Sequence, residues 1–182
     1  AMKAGKYDLL DSYPANAYAD VKDLKNIQIL GRPELAYSYL GVKLGKWDSK
    51  KGEVVVNEDA KLKDPKVRQA LAYAMNIEEV SEAYYDGLRT RANSLIPPVF
   101  ETYYDDSLEG YKYDVEKAKS LLEEAGYKDT NNDGYVEDPD GKEFTIKMAT
   151  MQGSDKDEKI VQFYIQNWKY AGIKVELTTG RT

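Results

Sequence analysis

Residues 64–98 read DPKVRQALAYAMNIEEVSEAYYDGLRTRANSLIPP, and the fold is decided here. Asp64 is an N-cap residue, and Pro65 takes the first helical position, where its missing N–H costs nothing. Val67, Ala70, Leu71, Ala74 and Met75 follow at helical spacing. Asn76 with Glu79 makes an Asn-x-x-Glu variant of the capping box, which opens a second helix with Ile77, Val80 and Tyr84 on its inner face. Gly87 closes that helix. Thr90–Gly110 carries two prolines and little periodicity, and reads as an irregular surface arm.

On the N-terminal side, Tyr7–Ser12 reads as a short strand and Ala15–Leu24 as a helix. Asn26–Arg32 and Leu35–Leu44 alternate like strands, with Tyr37 and Tyr39 on one face and Ser38 and Leu40 on the other. Trp47–Asn57, with its Asp48–Gly52 turn and Val54–Val56 run, predicts a hairpin. On the C-terminal side, Asp114 caps a helix with Val115, Ala118, Leu121, Leu122 and Ala125 on one face, and Gly126 ends it. Phe144–Met151 is a strand. Ser154 with Asp157 caps a long helix bearing Val161, Tyr164, Ile165 and Trp168, which Gly172 ends before a last strand, Ile173–Thr178. Helices alternating with strands imply an α/β layer architecture.

Composition bounds the chemistry. The 182 residues suffice for one well-buried domain or a lobe of a larger protein, and 42% hydrophobic content argues for a packed core. A net charge of −6 with interspersed signs argues against a nucleic-acid groove. The chain has no cysteine and no histidine, which excludes cysteine nucleophiles, Cys/His zinc sites and histidine triads within it. No apolar run approaches the roughly 20 residues of a membrane-spanning helix. Asp155, Asp157 and Glu158 are read as macrodipole-favoured residues of a first helical turn, without a catalytic role. The chain is not expected to be an enzyme.

The literal order of residues adds a resemblance. "DPKVRQALAYAMN-EE" followed by "Y-DG" and "SLIPP" resembles extracellular solute-binding proteins of family 5, the oligopeptide-binding receptors of ABC importers. "KAGKYDLLDSYP" at Lys3–Pro14 is similar to the family's GxxD strand, where the chain enters the second lobe. "ELAYSYLGVKLGKWDSKKGE" at Glu34–Glu53 resembles its central strand and hairpin, in the Gram-positive form. "YDVEKAKSLLEEAGYKDTNNDGYVEDPDGKEFTIKM" at Tyr113–Met148 and "IVQFYIQNWKYAGIKVEL" at Ile160–Leu177 follow in the family's order. The family continues past this last strand into a Trp- and Asp-bearing segment lining the peptide site, and this chain stops at Thr182. The resemblance implies a type II periplasmic-binding-protein-like α/β lobe, a mixed sheet flanked by helices, with residues 1–182 forming a single lobe of a two-lobed protein.

Position by position, the resemblance places ligand-facing residues at Asp11 and Tyr13, at Tyr39 and Gly41, and at Tyr85. It casts Asp11 as partner of a peptide amine and the tyrosines as partners of backbone carbonyls. Sixteen Tyr against three Phe suits a wet cleft accepting varied side chains, although tyrosines also cover core edges. Arg68 is expected in a structural ion pair with a nearby carboxylate.

Asp129–Asp140 sets oxygen side chains at loop positions 1, 3, 5, 9 and 12, with Gly134 at position 6. Asp129, Asn131, Asp133, the Tyr135 carbonyl, Glu137 and Asp140 thereby reproduce the ligand order of an EF-hand calcium loop, with Asp in place of Glu at the last position. A structural Ca²⁺ is one reading of this loop. An acidic turn held by Asx hydrogen bonds to its own backbone is the other. No cofactor is required.

The function implied by the resemblance is the ligand-binding lobe of an extracellular oligopeptide receptor that serves an ABC permease, acts as a monomer and binds no nucleic acid. Its signal peptide and lipid-attachment cysteine are expected upstream. Two alternatives stay open. The same scaffold could take a sugar or metal chelate, or the chain could be a calcium-stabilised surface interaction module.

Overall fold

A computed structural model describes residues 4–150 and 155–179. The chain falls into two compact units, one formed by Ala1–Ser38 with Ile77–Gly110 and the other by Tyr39–Asn76 with Tyr111–Thr182.

The second unit holds most of the regular structure. A hairpin pairs β1 (Gly45–Asp48) with β2 (Glu53–Val56), antiparallel, with Trp47 opposite Val54. Asp48 builds the turn: its carboxylate accepts from the amides of Lys50 and Lys51, and Gly52 turns back at φ +68°. Helix α1 (Pro65–Tyr73) starts where Asp64 accepts from the Lys66 amide at 2.7 Å, and α3 (Val115–Glu124) where Asp114 accepts from the Lys117 amide at 2.8 Å. Strand β3 (Thr145–Thr150), helix α4 (Asp155–Tyr170) and strand β4 (Lys174–Thr179) form a β–α–β unit, with β3 and β4 parallel from Thr145↔Lys174 to Thr150↔Thr179. Both strand senses expected of a mixed sheet therefore occur, but in two separate two-stranded sheets.

One core joins the helices of this unit to the β3–β4 pair. Val67, Ala70 and Ala74 of the α1 region, Ala118, Leu121 and Leu122 of α3, Phe144 before β3, and Trp168, Ala171 and Ile173 around the end of α4 pack together. The last turn of α1 shows how closely the parts are fitted. A helix leaves its final carbonyls without intrahelical partners. Here Ala70 O accepts from the Ala74 amide, Leu71 O from Trp168 Nε1 at 3.0 Å, Ala72 O from the Met75 amide, and Tyr73 O from the Asp114 amide at 2.8 Å. Nearby, the Asn76 amide donates to Asn167 Oδ1 at 2.9 Å. Two of these carbonyls are thus satisfied from α4 and from the N-cap of α3.

The first unit is sparser. A 3₁₀ segment (Ala15–Asp20) stands where a helix was expected over Ala15–Leu24. Its N-cap position is Pro14, which makes no side-chain cap, and the chain leaves it through turns at Val21 and Leu24. Helix α2 (Ile77–Tyr85) packs against this segment, with Val21, Val80 and Tyr85 buried. The strands expected over Tyr7–Ser12, Asn26–Arg32 and Leu35–Leu44 form no ladder among the described residues. A strand is completed by a neighbour's amides and carbonyls, and among the described residues only Leu44 O, at the foot of the hairpin, meets such a partner, the Asn57 amide at 2.8 Å. The irregular arm over residues 90–110 is observed. The expected Ser154 cap lies outside the described residues.

Arg68 departs from expectation. It is structural, but its Nη1 donates to the carbonyls of Leu62 and Lys63 at 2.8 and 2.6 Å, and among the described residues no carboxylate is its partner. The turn that leads into Asp64 aims two backbone oxygens at the first turn of α1, and a guanidinium answers them.

Candidate functional site

The end of α2 forms a corner of the first unit held by several side-chain bonds. Asp86 and Gly87 both take positive φ, +53° and +74°, which reverses the chain. The Gly87 amide donates to Ser81 O, and the Leu88 amide to Tyr85 O. Ser81 Oγ then holds Arg89 at both ends, donating to its carbonyl at 2.5 Å and accepting from its amide at 3.2 Å. Asp86 receives Lys22 Nζ on both oxygens at 2.9 Å, a bond that is the first cause of the raised Lys22 pKa. Arg91 donates through Nε and Nη2 to the two oxygens of Glu78, each at 2.9 Å. That fork holds the Glu78 carboxyl below its usual range, against the opposing effect of burial.

The expected ligand residues are divided between the two units. Asp11 and Tyr13 lie in the first, both exposed, Tyr13 at 40%. Tyr85 lies in the first as well but is buried at 4%, and the Arg89 guanidinium carbon sits 3.9 Å from its ring centroid. At this corner the group presented outward is therefore the guanidinium and not the phenol. Tyr39 and Gly41 lie in the second unit and are brought together: a Cβ on Gly41 would stand 3.7 Å from the Tyr39 ring. Tyr39 is 77% exposed, so this pair presents an aromatic face.

The acidic loop is a separate place in the second unit. Asp129 accepts from the Asp133 amide at 3.2 Å and the Gly134 amide at 2.9 Å. Asn131 Oδ1 accepts from the Asp133 amide, and its Nδ2 donates to Asp133 and to Glu137. Asp133 accepts from the Tyr135 amide at 2.9 Å. Glu137, 8% exposed, accepts from both the amide and the hydroxyl of Thr130 at 2.7 Å. Asp140 faces Lys142 at 3.5 Å, in the turn that Asp138 organises. Lys174 Nζ lies 5.9 Å from the Tyr135 ring, and its pKa is raised first by its hydrogen bond to Glu143, with the charge on Asp133 contributing. Among the described residues no three carboxylates converge on a metal position. The loop oxygens are turned onto neighbouring amides, the arrangement of an Asx-stabilised turn.

Comparison with known proteins places this architecture. Residues 1–182 match the family model described as bacterial extracellular solute-binding proteins, family 5 middle. The oligopeptide-binding protein OppA of Lactococcus lactis subsp. cremoris is 41% identical over 182 residues, all of this chain and 30% of that protein. The structure of lactococcal OppA complexed with an endogenous peptide in the closed conformation superposes with a TM-score of 0.83 and 39% identity, covering 98% of this chain and 33% of that one. The oligopeptide-binding protein AppA of Bacillus subtilis, in complex with a nonapeptide, gives a TM-score of 0.71 and 33% identity over 92% of this chain and 31% of that one. The chain thus spans about a third of the length of these relatives. Among the described residues no helix is long and apolar enough to cross a membrane. Matched along its whole length, the chain belongs to the bacterial extracellular solute-binding proteins of family 5.

Proposed function

We propose that this chain is one lobe of a two-lobed extracellular receptor that binds oligopeptides and delivers them to an ABC importer. The observation that carries the reading is the end-to-end likeness to two receptors whose structures hold peptides. The exposed apolar side chains of the first 44 residues, Leu9, Leu30, Leu35 and Tyr39 among them, support it too, because surfaces of this kind are normally covered. In the two-lobed receptor, main-chain hydrogen bonds along an extended peptide supply affinity with little sequence preference. Closure of the lobes is the state the permease reads. Asp11 takes the peptide amine, and Tyr13 and Tyr39 its carbonyls. The anchor is a lipid at the N-terminus of the full receptor. Nothing in this scheme is catalytic.

Calorimetric titration of the two-lobed receptor tests the reading. Unrelated peptides of several lengths should bind at about micromolar or tighter affinity. Oligosaccharides and metal–histidine chelates should produce no heat. Saturable binding of a sugar or chelate with silence from every peptide would replace the peptide reading by the corresponding alternative.

The acidic loop needs no ion in this account, because its side-chain oxygens already have partners within the chain. The melting temperature of the chain should agree within about 1 °C in millimolar calcium and in excess EDTA, since an ion that stabilised it by a few kcal/mol would shift the transition by several degrees. A chelator-dependent fall of that size would show that calcium holds the loop.

A further inference from the structure

We propose that the β1–β2 hairpin is a contact surface for an anionic membrane. The proposal does not rest on the peptide reading, because the hairpin would meet a membrane whatever the receptor carries. Three observations carry it. The register sets Trp47 opposite Val54 and Gly45 opposite Val56, so Trp47, Val54 and Val56 share one face, and Gly45 brings no side chain to cover Val56. That face is open: Trp47 and Val54 are 64% and 62% exposed and Val56 49%, whereas the chain's other tryptophan, Trp168, is 4% exposed. Residues 43–51, KLGKWDSKK, hold four lysines against one aspartate, in a chain of net charge −6. Lys43, Lys46, Lys50 and Lys51 are all exposed, and among the described residues none of them is ion-paired, whereas Lys22, Lys66 and Lys174 are.

An indole suits a lipid headgroup region, because its apolar body is buried there while its N–H stays wet. The two valines beside it add apolar area that water now covers. Lys50 and Lys51 stand in the turn next to Trp47, where their ammonium groups meet the phosphates of anionic lipids. The turn is fixed in advance: Asp48 accepts from the amides of both lysines, and the Gly52 amide donates to Asp48 O at 2.8 Å. Docking therefore orders little that is not ordered already. Charge decides between occupants. A chain of net charge −6 is repelled by an anionic surface except at a basic patch, so this patch both holds and orients the molecule. An isologous pairing of two hairpins would instead bring the lysines of both copies together. Cross-strand packing accounts for Trp47 lying beside Val54. It does not account for the unpaired lysines around them.

The test uses the two-lobed receptor, prepared without a lipid anchor, as wild type, Trp47→Ala and the double variant Lys50→Gln with Lys51→Gln. Each is sedimented with vesicles of phosphatidylglycerol and phosphatidylcholine in equal parts, and with vesicles of phosphatidylcholine alone. Wild type should bind the mixed vesicles about tenfold or more above the neutral ones, and the difference should shrink as salt is raised. Trp47→Ala should weaken binding to the mixed vesicles by about tenfold. The double variant should weaken it by roughly 30-fold, about fivefold for each lysine lost. It alters no packing, so it keeps the test decisive should Trp47→Ala loosen the hairpin. Affinity for a defined peptide should be the same in all three forms, which tells a failed membrane contact from a failed peptide reading. Equal sedimentation with the two kinds of vesicle would overturn the assignment, as would mixed-vesicle binding that neither variant weakens. Hydroxyl-radical footprinting of the vesicle-free receptor should oxidise Trp47. A protected Trp47 would mean that another part of the receptor covers this face, and a dimer that Trp47→Ala dissociates would mean that a second copy does. Either result overturns the membrane assignment.

Discussion

Trp168→Ala should lower the melting temperature of this chain by on the order of 10 °C, the largest single effect expected of any one side chain in it. Trp168 is 4% exposed and sits in the core between α1, α3 and the β3–β4 pair. Truncating a buried Trp removes transfer energy and leaves a cavity, together costing about 3–5 kcal/mol. A second loss adds to the first. Nε1 is the partner of Leu71 O, a carbonyl that α1 itself cannot satisfy. Removing the donor strands that oxygen, at a cost of about 1–3 kcal/mol unless water reaches it. For a chain of this length each kcal/mol moves the transition by about 2–4 °C. Trp168→Phe separates the two contributions, because it keeps most of the volume and lacks the N–H. Its melting temperature should fall by roughly a third as much. If Trp168→Phe proved as damaging as Trp168→Ala, the hydrogen bond would outweigh the packing and the cavity argument would be wrong.

Gly172→Val is expected to cost about 2–3 kcal/mol, for reasons that lie mostly in the backbone. Gly172 sits at φ +80°, where a β-branched residue is strained. A Cβ there would also stand 3.3 Å from Val136 Cγ1 and 3.7 Å from Gly134 O. This turn is where the acidic loop is tied to the α4–β4 connection, through the Val136 amide and Gly172 O at 2.8 Å. Gly134→Ala is the control. Gly134 has φ +90° but nothing within 4 Å of a built Cβ, so it reports the backbone cost alone. Gly172→Ala should be the more destabilising of the two alanine variants, by the added contact with Val136. Equal losses would mean that the contact contributes nothing. Chemical denaturation monitored by Trp fluorescence reads both.

Elements that carry their own boundary signals were legible in the sequence. Helices α1 and α3 begin at Asp64 and Asp114, whose carboxylates make the bonds that the residue type promised. Glycines at 126 and 172 end the helices before them with positive φ. The hairpin was readable from Asp48 and Gly52, because that turn is built from neighbours in sequence. Alternation over Asn26–Arg32 and Leu35–Leu44 marked extended chain but could not name a partner, and the ladders are absent among the described residues. The helix expected over Ala15–Leu24 is shorter and 3₁₀, over Ala15–Asp20, where Pro14 at the N-cap position makes no side-chain cap. Arg68 shows a different limit, since sequence names a cation but not the two carbonyls that a turn will aim at it.

Sequence named candidate side chains but not how they pack. Resemblance named Tyr85 at the end of α2, and the structure buries that side chain, with Arg89 over its ring. Which side chain covers which is a packing outcome that a linear pattern does not carry. The acidic loop was readable as to its oxygens and not as to their hydrogen bonds. Ligand order is a property of sequence, whereas the capture of those oxygens by the amides of residues 133–135 is a property of the folded turn.

Native mass spectrometry of the two-lobed receptor, purified from its own cells without denaturation, tests the central claim most directly. The account predicts a ladder of adducts with masses of short peptides, exchanged when a defined peptide is added in excess. A receptor that emerges free of adducts and stays so when peptides are supplied would contradict it, as would a single adduct of fixed non-peptide mass that peptides fail to displace.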